Sequence, residues 1–407
     1  MDWLSGISQE NQMSDRKARP FLRALTVASL SFALLLPAGS AFADAGFRKW
    51  VSDFRNTAVQ NGVSGAVYDR AFRGITDIEF VAPAWDYFDN RVHDESVATG
   101  REMARKWKPW LDRIEKRFGV DRHVLLAIWS MESNYGEILK RDDVMRSVVR
   151  SLATLGYADQ RRAKFARTQL IAALKILQTG DIDESHLTGS WAGAMGHTQF
   201  IPTSYQAYAV DMDGNGKRDI WSSVPDALAT AANLLAKNGW QSGRTWGYEV
   251  VLPPGRKFPS GTMSLDKWAS IGVRRANGKP FVSGSDQAEL KVPDGRQGPA
   301  FLVIKNFSVI KRYNNADKYA LAVGLLADEI AGYGGLVQDW NRPFTKLSFV
   351  ERQELQQRLS QYGYYTGKFD GKIGSGSRAA IIAFQAQAGM QQDGHPSMEV
   401  LSRLRRR

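Results

Sequence analysis

The sequence predicts a mainly α-helical protein with a small β insertion at about 241–310 and a distinct final unit at 347–405. Three observations carry that prediction. Apolar residues recur at helical spacing through residues 44–240, beginning with Phe47, Trp50, Val51 and Phe54, so that they gather on one face. Proline and glycine then become frequent, at Pro253-Pro254-Gly255 and Pro293-Asp294-Gly295, around the β-type runs Tyr248 to Leu252, Ala288 to Val292 and Phe301 to Ile304. The helical pattern returns from Lys318 to Ala331, and Gly334, Gly335 and Pro343 mark a linker near 340–346.

The first element along the chain is an export signal. Arg16, Lys17, Arg19 and Arg23 precede an apolar run from Ala24 to Leu36, and Ala41-Phe42-Ala43 puts small residues where a signal peptidase cuts, after Ala43. The run is short for a bilayer span. The expectation is a cleaved signal peptide at 1–43 and no stable membrane anchor. The chain has no cysteine, so it forms no disulfide and offers no thiol for lipidation, which suits a bacterial periplasm. Its formal charge of +12 favours an anionic partner, and export argues against nucleic acid. With 407 residues, 43% of them hydrophobic, the chain can bury the cores of two or three domains.

Further helices are expected around Phe165 to Leu177 and Ala227 to Leu235. The helix of most chemical interest follows Gly119. Asp121 caps it, and Leu125, Ile128 and Glu132 share one face. Glu132 ends that inward face, just before Asn134-Tyr135-Gly136, where it is poorly solvated. Desolvation raises a carboxyl's pKa, and an acid still protonated near neutral pH can serve as a general acid. A half-exposed helix-terminal glutamate with no chemistry is the plain alternative.

The stretch from Gly189 to Tyr205 reads GSWAGAMGHTQFIPTSY. Its glycines and alanines let backbone approach a ligand closely. Ser190 and Gln199 bring neutral hydrogen-bonding groups suited to sugars, and Trp191, Phe200 and Tyr205 bring flat apolar faces. A tight turn between two packed helices would use many of the same residues.

Glu132-Ser133-Asn134-Tyr135-Gly136 followed by this glycine-rich stretch resembles the membrane-bound lytic murein transglycosylase B family, glycoside hydrolase family 103, over roughly residues 45–340. The resemblance implies a lysozyme-like catalytic core with a helical flanking region and a small β region, within a lytic transglycosylase domain at 44–340. It makes Glu132 the sole catalytic acid/base, places Ser190 and Gln199 along the sugar cleft, and matches Tyr313 and Tyr319 to a pair of cleft tyrosines. Arg161 and Arg162 fall where the family has a cationic pair near the stem peptide, although a solvated helix face is equally compatible with them.

Asp211-Met212-Asp213-Gly214-Asn215-Gly216 fits the opening of a calcium loop, with Asp211, Asp213 and Asn215 as side-chain ligands and the Lys217 carbonyl as a fourth. Position twelve is Ser222 rather than glutamate. The resembling family uses a later aspartate, which here is Asp226, one residue further on. A calcium ion there would be structural, and no cofactor is expected for catalysis. The final unit, with Tyr362-Gly363-Tyr364-Tyr365-Thr366-Gly367 and Asp393-Gly394-His395-Pro396, resembles the three-helix peptidoglycan-binding domain type 1, with Ser377 where a threonine is usual.

The resemblance implies cleavage of the β-1,4 bond between N-acetylmuramic acid and N-acetylglucosamine in peptidoglycan, leaving 1,6-anhydromuramic acid ends. A lysozyme-type hydrolase and a non-catalytic wall-binding scaffold are the alternatives. The expected partners are glycan strands, and the expected state is a monomer.

Overall fold

The computed structural model describes residues 45–72 and 84–407, so the expected signal peptide at 1–43 lies outside the described residues. Helices α1 (Ala45–Gln60) and α2 (Gly65–Ala71) form a hairpin. It is held by the Arg55–Asp69 ion pair at 2.7 Å and by the Tyr68 hydroxyl, which donates to the Val51 carbonyl at 2.7 Å. Next come α3 (Ala84–Asp89), α4 (Asp94–Lys106) and α5 (Lys108–Phe118), which lead to the central helix α6 (Arg122–Ser133). Every residue of α6 from Val124 to Trp129 is buried, as an almost wholly apolar helix must be.

After a short 3-10 turn at Glu137–Lys140 the chain runs through β1 (Arg146–Ser147), α7 (Val148–Ala158), α8 (Ala163–Thr179), β2 (Thr188–Gly189), α9 (Pro202–Tyr208) and α10 (Val224–Lys237). Strands β1 and β2 pair antiparallel, Arg146 with Gly189 and Ser147 with Thr188. Neither was expected, because two residues are too few to show a period-two pattern.

The β insertion is a five-stranded antiparallel sheet in the order β4-β6-β7-β3-β5, built from β3 (Gly247–Val251), β4 (Thr262–Ser264), β5 (Arg274–Arg275), β6 (Gln287–Lys291) and β7 (Ala300–Val303), with α11 (Leu265–Ser270) between β4 and β5. The three runs read as strands became β3, β6 and β7. Central strand β7 is buried on both faces: Phe301 and Val303 join the main helical core, whereas Ala300 and Leu302 join a smaller core with Val250, Leu265 and Trp268. That explains its unbroken apolar run. Two helices follow, α12 (Lys305–Tyr313) and α13 (Asp317–Ala331), and α13 packs against α6.

The last unit is a three-helix module of α14 (Phe349–Gln361), α15 (Ser375–Gln387) and α16 (Met398–Arg405). Leu355, Leu359, Ile381 and Phe384 are fully buried in it. Gln356 ties the module's loops together, accepting from the Gly371 amide at 2.8 Å and donating to the Lys372 carbonyl at 3.0 Å and the Ser377 hydroxyl at 3.1 Å.

The module is bonded to the rest of the chain through α3. Asp86 pairs with Arg378 of the module, and Asp89 pairs with Arg342 at 2.6 Å and Lys346 at 3.1 Å in the linker before it. Arg352 donates to the Asp89 carbonyl at 2.9 Å, and the Ile373 amide donates to the Asn90 side chain at 3.1 Å. Rings interleave as well: His93 stacks on Phe349 at 4.9 Å, and Trp85 meets Phe344 edge-on at 5.1 Å. Among the described residues, no helix is long and apolar enough to cross a membrane.

Candidate active site

The C-terminal end of α6 builds the site. Asp121 caps the other end as expected, accepting from the amides of His123 at 2.7 Å and Val124 at 3.3 Å. At the far end the chain leaves the helix through three consecutive left-handed residues, Asn134 (φ 50°), Tyr135 (φ 56°) and Gly136 (φ 91°). Two non-glycine residues in that region cost energy that the surroundings must supply. The surroundings are the glycine-rich loop. The Ser133 hydroxyl donates to the His197 carbonyl at 2.6 Å and accepts from the Gly136 amide at 3.0 Å, and the Trp129 indole donates to His197 Nδ1 at 3.1 Å. Burial lowers the His197 pKa to about 4, which keeps the ring neutral and able to accept. A Cβ on Gly136 would lie 2.5 Å from the His197 ring, so only glycine lets the two motifs meet.

Glu132 is half-buried at this junction. The Tyr319 hydroxyl, from α13, donates to its Oε1 at 2.6 Å. Burial raises the carboxyl to about 7, against the opposing effects of that hydrogen bond and of the nearby Arg91 charge. Among the described residues, no carboxylate is among the groups acting on it. Glu137, the next acid along the chain, is exposed and paired with Lys140 at 2.6 Å. Tyr313, at the end of α12, lies parallel to Tyr319 with ring centroids 6.5 Å apart, and its hydroxyl donates to the Thr198 carbonyl. Burial and the Glu132 carboxyl hold both phenols well above the usual tyrosine range, so both remain donors.

The loop from Gly189 to Phe200 is no helix–helix turn. It closes on itself through bridges of Met195 with Gly189 and with Phe200. Ser190 is buried, and its oxygen accepts from the amides of Ala192 at 3.3 Å and Ala194 at 3.1 Å, which leaves the O–H to offer. Gln199 adopts φ 50° and donates through Nε2 to the Gly196 carbonyl at 2.8 Å, which leaves its side-chain oxygen as an acceptor. The aromatic residues separate. Phe200 and Tyr205 are buried, Phe200 packing edge-on against Tyr313 and Tyr205 donating to the Arg218 carbonyl at 2.6 Å. They are core, contrary to the expectation of open faces. Trp191 alone of the three is exposed, and the Arg162 guanidinium lies 4.7 Å from its ring centroid. Arg162 also pairs with Asp159 at 2.5 Å, and Arg161 is exposed beside it.

Two neighbours of Glu132 were not foreseen. Tyr87, on α3, and Arg91, just beyond it, both interact electrostatically with the Glu132 carboxyl. No motif marks them. The one available signal is their four-residue spacing, which puts the guanidinium 5.7 Å from the tyrosine ring centroid.

The second candidate site gathers one carboxylate oxygen each from Asp211, Asp213 and Asp226, all within 4.8 Å of one another. Ligands about one calcium ion at 2.3–2.6 Å stand up to roughly 5 Å apart, so these three fit. The loop amides already shape them: Gly214 and Gly216 donate to Asp211, Asn215 to Asp213, and Met212, Asp213 and Asp219 to Asp226. Burial raises Asp226 to about 6 despite those amides. Asn215 and Lys217 lie on the exposed rim of the loop, the Asn215 side chain accepting from the Lys217 amide at 2.8 Å.

Residues 46–328 match the family described as Transglycosylase SLT domain, and residues 350–404 match a peptidoglycan binding domain family. Membrane-bound lytic murein transglycosylase B of Escherichia coli (strain K12) is 29% identical over 254 residues, covering 61% of this chain and 68% of its own. SltB3 from Pseudomonas aeruginosa, in complex with NAG-NAM-pentapeptide, is 43% identical with a TM-score of 0.62, covering 88% of this chain and 99% of its own. The same protein is also known in complex with NAG-anhNAM-pentapeptide. Soluble lytic transglycosylase SltB1 from the same organism is 28% identical with a TM-score of 0.54, covering 70% of this chain and 99% of its own. The chain belongs to the Transglycosylase SLT domain family.

Proposed function

We propose that this protein is a lytic transglycosylase that cleaves the β-1,4 bond between N-acetylmuramic acid and N-acetylglucosamine in peptidoglycan and leaves 1,6-anhydromuramic acid ends. The observation that carries the reading is one carboxyl, Glu132, raised to about 7 and hydrogen-bonded by Tyr319, with no acid among the described residues that act on it. Two-carboxylate glycosidases need a partner for the second role. Here the substrate's own 2-acetamido oxygen takes that role. Protonated Glu132 gives its proton to the glycosidic oxygen as the C1–O bond breaks, and the acetamido oxygen bonds to C1. The Glu132 carboxylate then takes the proton of the C6 hydroxyl, whose oxygen displaces the acetamido oxygen from C1. Glu132 ends protonated, and no water is consumed. A pKa near the working pH suits a group that acts as acid and then as base.

The Ser190 O–H and the Gln199 side-chain oxygen are hydrogen-bonding groups the cleft loop can offer a sugar, Tyr319 bonds Glu132 with Tyr313 parallel to it, and Arg162, over Trp191, forms with its exposed neighbour Arg161 a cationic edge for stem-peptide carboxylates. Asp211, Asp213, Asn215, the Lys217 carbonyl and Asp226 would hold a calcium ion with a structural role. The reaction needs no cofactor. The protein acts as a monomer in the periplasm after loss of residues 1–43, and its C-terminal module raises the local concentration of wall polymer.

The test is mass spectrometry of muropeptides released from purified sacculi by residues 44–407. Anhydromuramyl ends are expected, and Glu132→Gln should lower their release by at least about 10³-fold while leaving sedimentation with sacculi unchanged. Ordinary reducing ends would make the enzyme a hydrolase. Undiminished lysis by the variant would remove Glu132 from the mechanism, and wall binding without any release would favour a scaffold.

A further inference from the structure

Arg91 stands out among the groups around Glu132 as one the mechanism has not used. It is half-buried, and its guanidinium rests on two contacts: Nη1 donates to the Met131 carbonyl at 3.4 Å, and the Tyr87 ring centroid lies 5.7 Å away. Neither is an ion pair, and among the described residues no carboxylate is in contact with it. A guanidinium carries five donors, so most of its hydrogen-bonding capacity is not used by these contacts. Met131 precedes Glu132, and its carbonyl belongs to the last turn of α6, where helix carbonyls lack partners of their own. Arg91 is therefore held at the carboxyl end of that helix, next to the one acid of the site.

The titratable and charged groups around Glu132 come from three elements. Tyr313 ends α12, Tyr319 lies on α13, and Tyr87 and Arg91 come from α3 and the turn after it. The three phenols stay neutral. Arg91 is the one permanent charge among them.

We propose that Arg91 is a positioning residue for the reaction, placed to stabilise the negative charge that develops on Glu132 as its proton passes to the glycosidic oxygen. The proposal rests on the transglycosylase reading of Glu132. A fixed cation near a carboxyl that is losing its proton lowers the energy of the transition state more than that of the ground state, because the negative charge exists only in the former. The plain alternative is a helix cap, an arginine that merely satisfies the Met131 carbonyl.

Three variants separate the two roles: Arg91→Lys keeps the charge, Arg91→Gln keeps a donor for the carbonyl without charge, and Arg91→Met removes both. The readout is kcat and the pH dependence of kcat/KM on soluble N-acetylglucosamine–N-acetylmuramic acid oligosaccharides, with thermal melting to follow the fold. In the wild type, kcat/KM falls as pH rises through the Glu132 pKa of about 7, because the free enzyme must carry the proton. Arg91 pulls that pKa down, so its loss moves the alkaline limb to higher pH. Arg91→Gln and Arg91→Met should both shift the limb upward, by about half to one pH unit, with kcat roughly tenfold lower. Arg91→Lys should keep the wild-type limb. Arg91→Gln with a wild-type limb and rate, or Arg91→Lys shifted as far as Arg91→Gln, would overturn the proposal and leave a helix cap. Wild-type enzyme that releases no anhydro products would instead overturn the reading of Glu132, an outcome distinguishable from either.

Discussion

At the scale of single residues, Glu132 is held where a carboxylate is unwelcome. Its ordinary value of 4.5 rises to about 7 in the folded protein, chiefly through burial. A carboxyl raised on folding binds its proton more tightly in the native state. Its contribution to stability is complete below 4.5 and is lost as pH rises through about 7. The loss is of the order of 3 kcal/mol. Glu132→Gln removes the titration, so the variant should equal the wild type in urea denaturation near pH 4 and be more stable by roughly that amount near pH 8.5. Equal stability at both values would mean that the carboxyl is well solvated. The sequence announced Glu132 because Leu125 and Ile128 lie on the same helical face. It misjudged Phe200 and Tyr205, since an aromatic residue type does not say whether its ring faces a cleft or a core. Tyr87 and Arg91 were illegible for a different reason: they reach Glu132 only because the turn after α3 meets the end of α6, forty residues further along the chain in the case of Arg91 and Met131.

At the scale of elements, the loop from Asp211 to Asp219 shows how a short motif is wired into a helix. Asp226 stands in the first turn of α10 and accepts amides from both ends of the loop, Met212 and Asp213 on one side and Asp219 on the other. Ser223, the cap of α10, donates to Asp213 at 2.8 Å. Placing a divalent cation among the three carboxylates would fasten the loop to the helix. Calcium at about a hundred times its dissociation constant should then stabilise the protein by about 2.7 kcal/mol, seen as a rise in Tm that EDTA reverses. Asp213→Asn should abolish the rise while leaving the rate of wall cleavage at 25 °C unaltered. A wild-type Tm indifferent to calcium would refute cation binding. The nearness of the Asp211 and Asp213 carboxylates was legible, because such loops are local in sequence. Asp226 needed family resemblance to be found, since it lies beyond the usual twelve positions. The pairing of β1 with β2 escaped detection because its residues are 41 positions apart or more and too few to show alternation.

At the scale of the whole molecule, the C-terminal module is joined to the catalytic body by buried charge. The Asp86 carboxyl is raised by burial and held in check by Arg378, and each side chain of the pair is only 9% exposed. Removing one partner of such a pair leaves the other as an isolated buried ion. Arg378→Met should cost about 3–5 kcal/mol in chemical denaturation, and adding Asp86→Leu should recover much of the loss. A single variant as stable as the wild type would show that water reaches the pair. Nothing in the sequence foretold these contacts. Asp86 and Arg378 are 292 residues apart, and an acid and a base at that distance look like two surface charges until the fold brings them together.

Those buried acids of α3 also constrain how such a protein can change over evolutionary time. A wall-binding unit on a loose tether can be lost, duplicated or exchanged by recombination at little cost to its host. Here a recombinant without the module would strip Asp86 of Arg378 and the Asp89 carbonyl of Arg352, and would loosen the helix that carries Tyr87. The two halves are thereby tied together: a lineage can discard the module at little cost only after a neutral side chain has replaced Asp86.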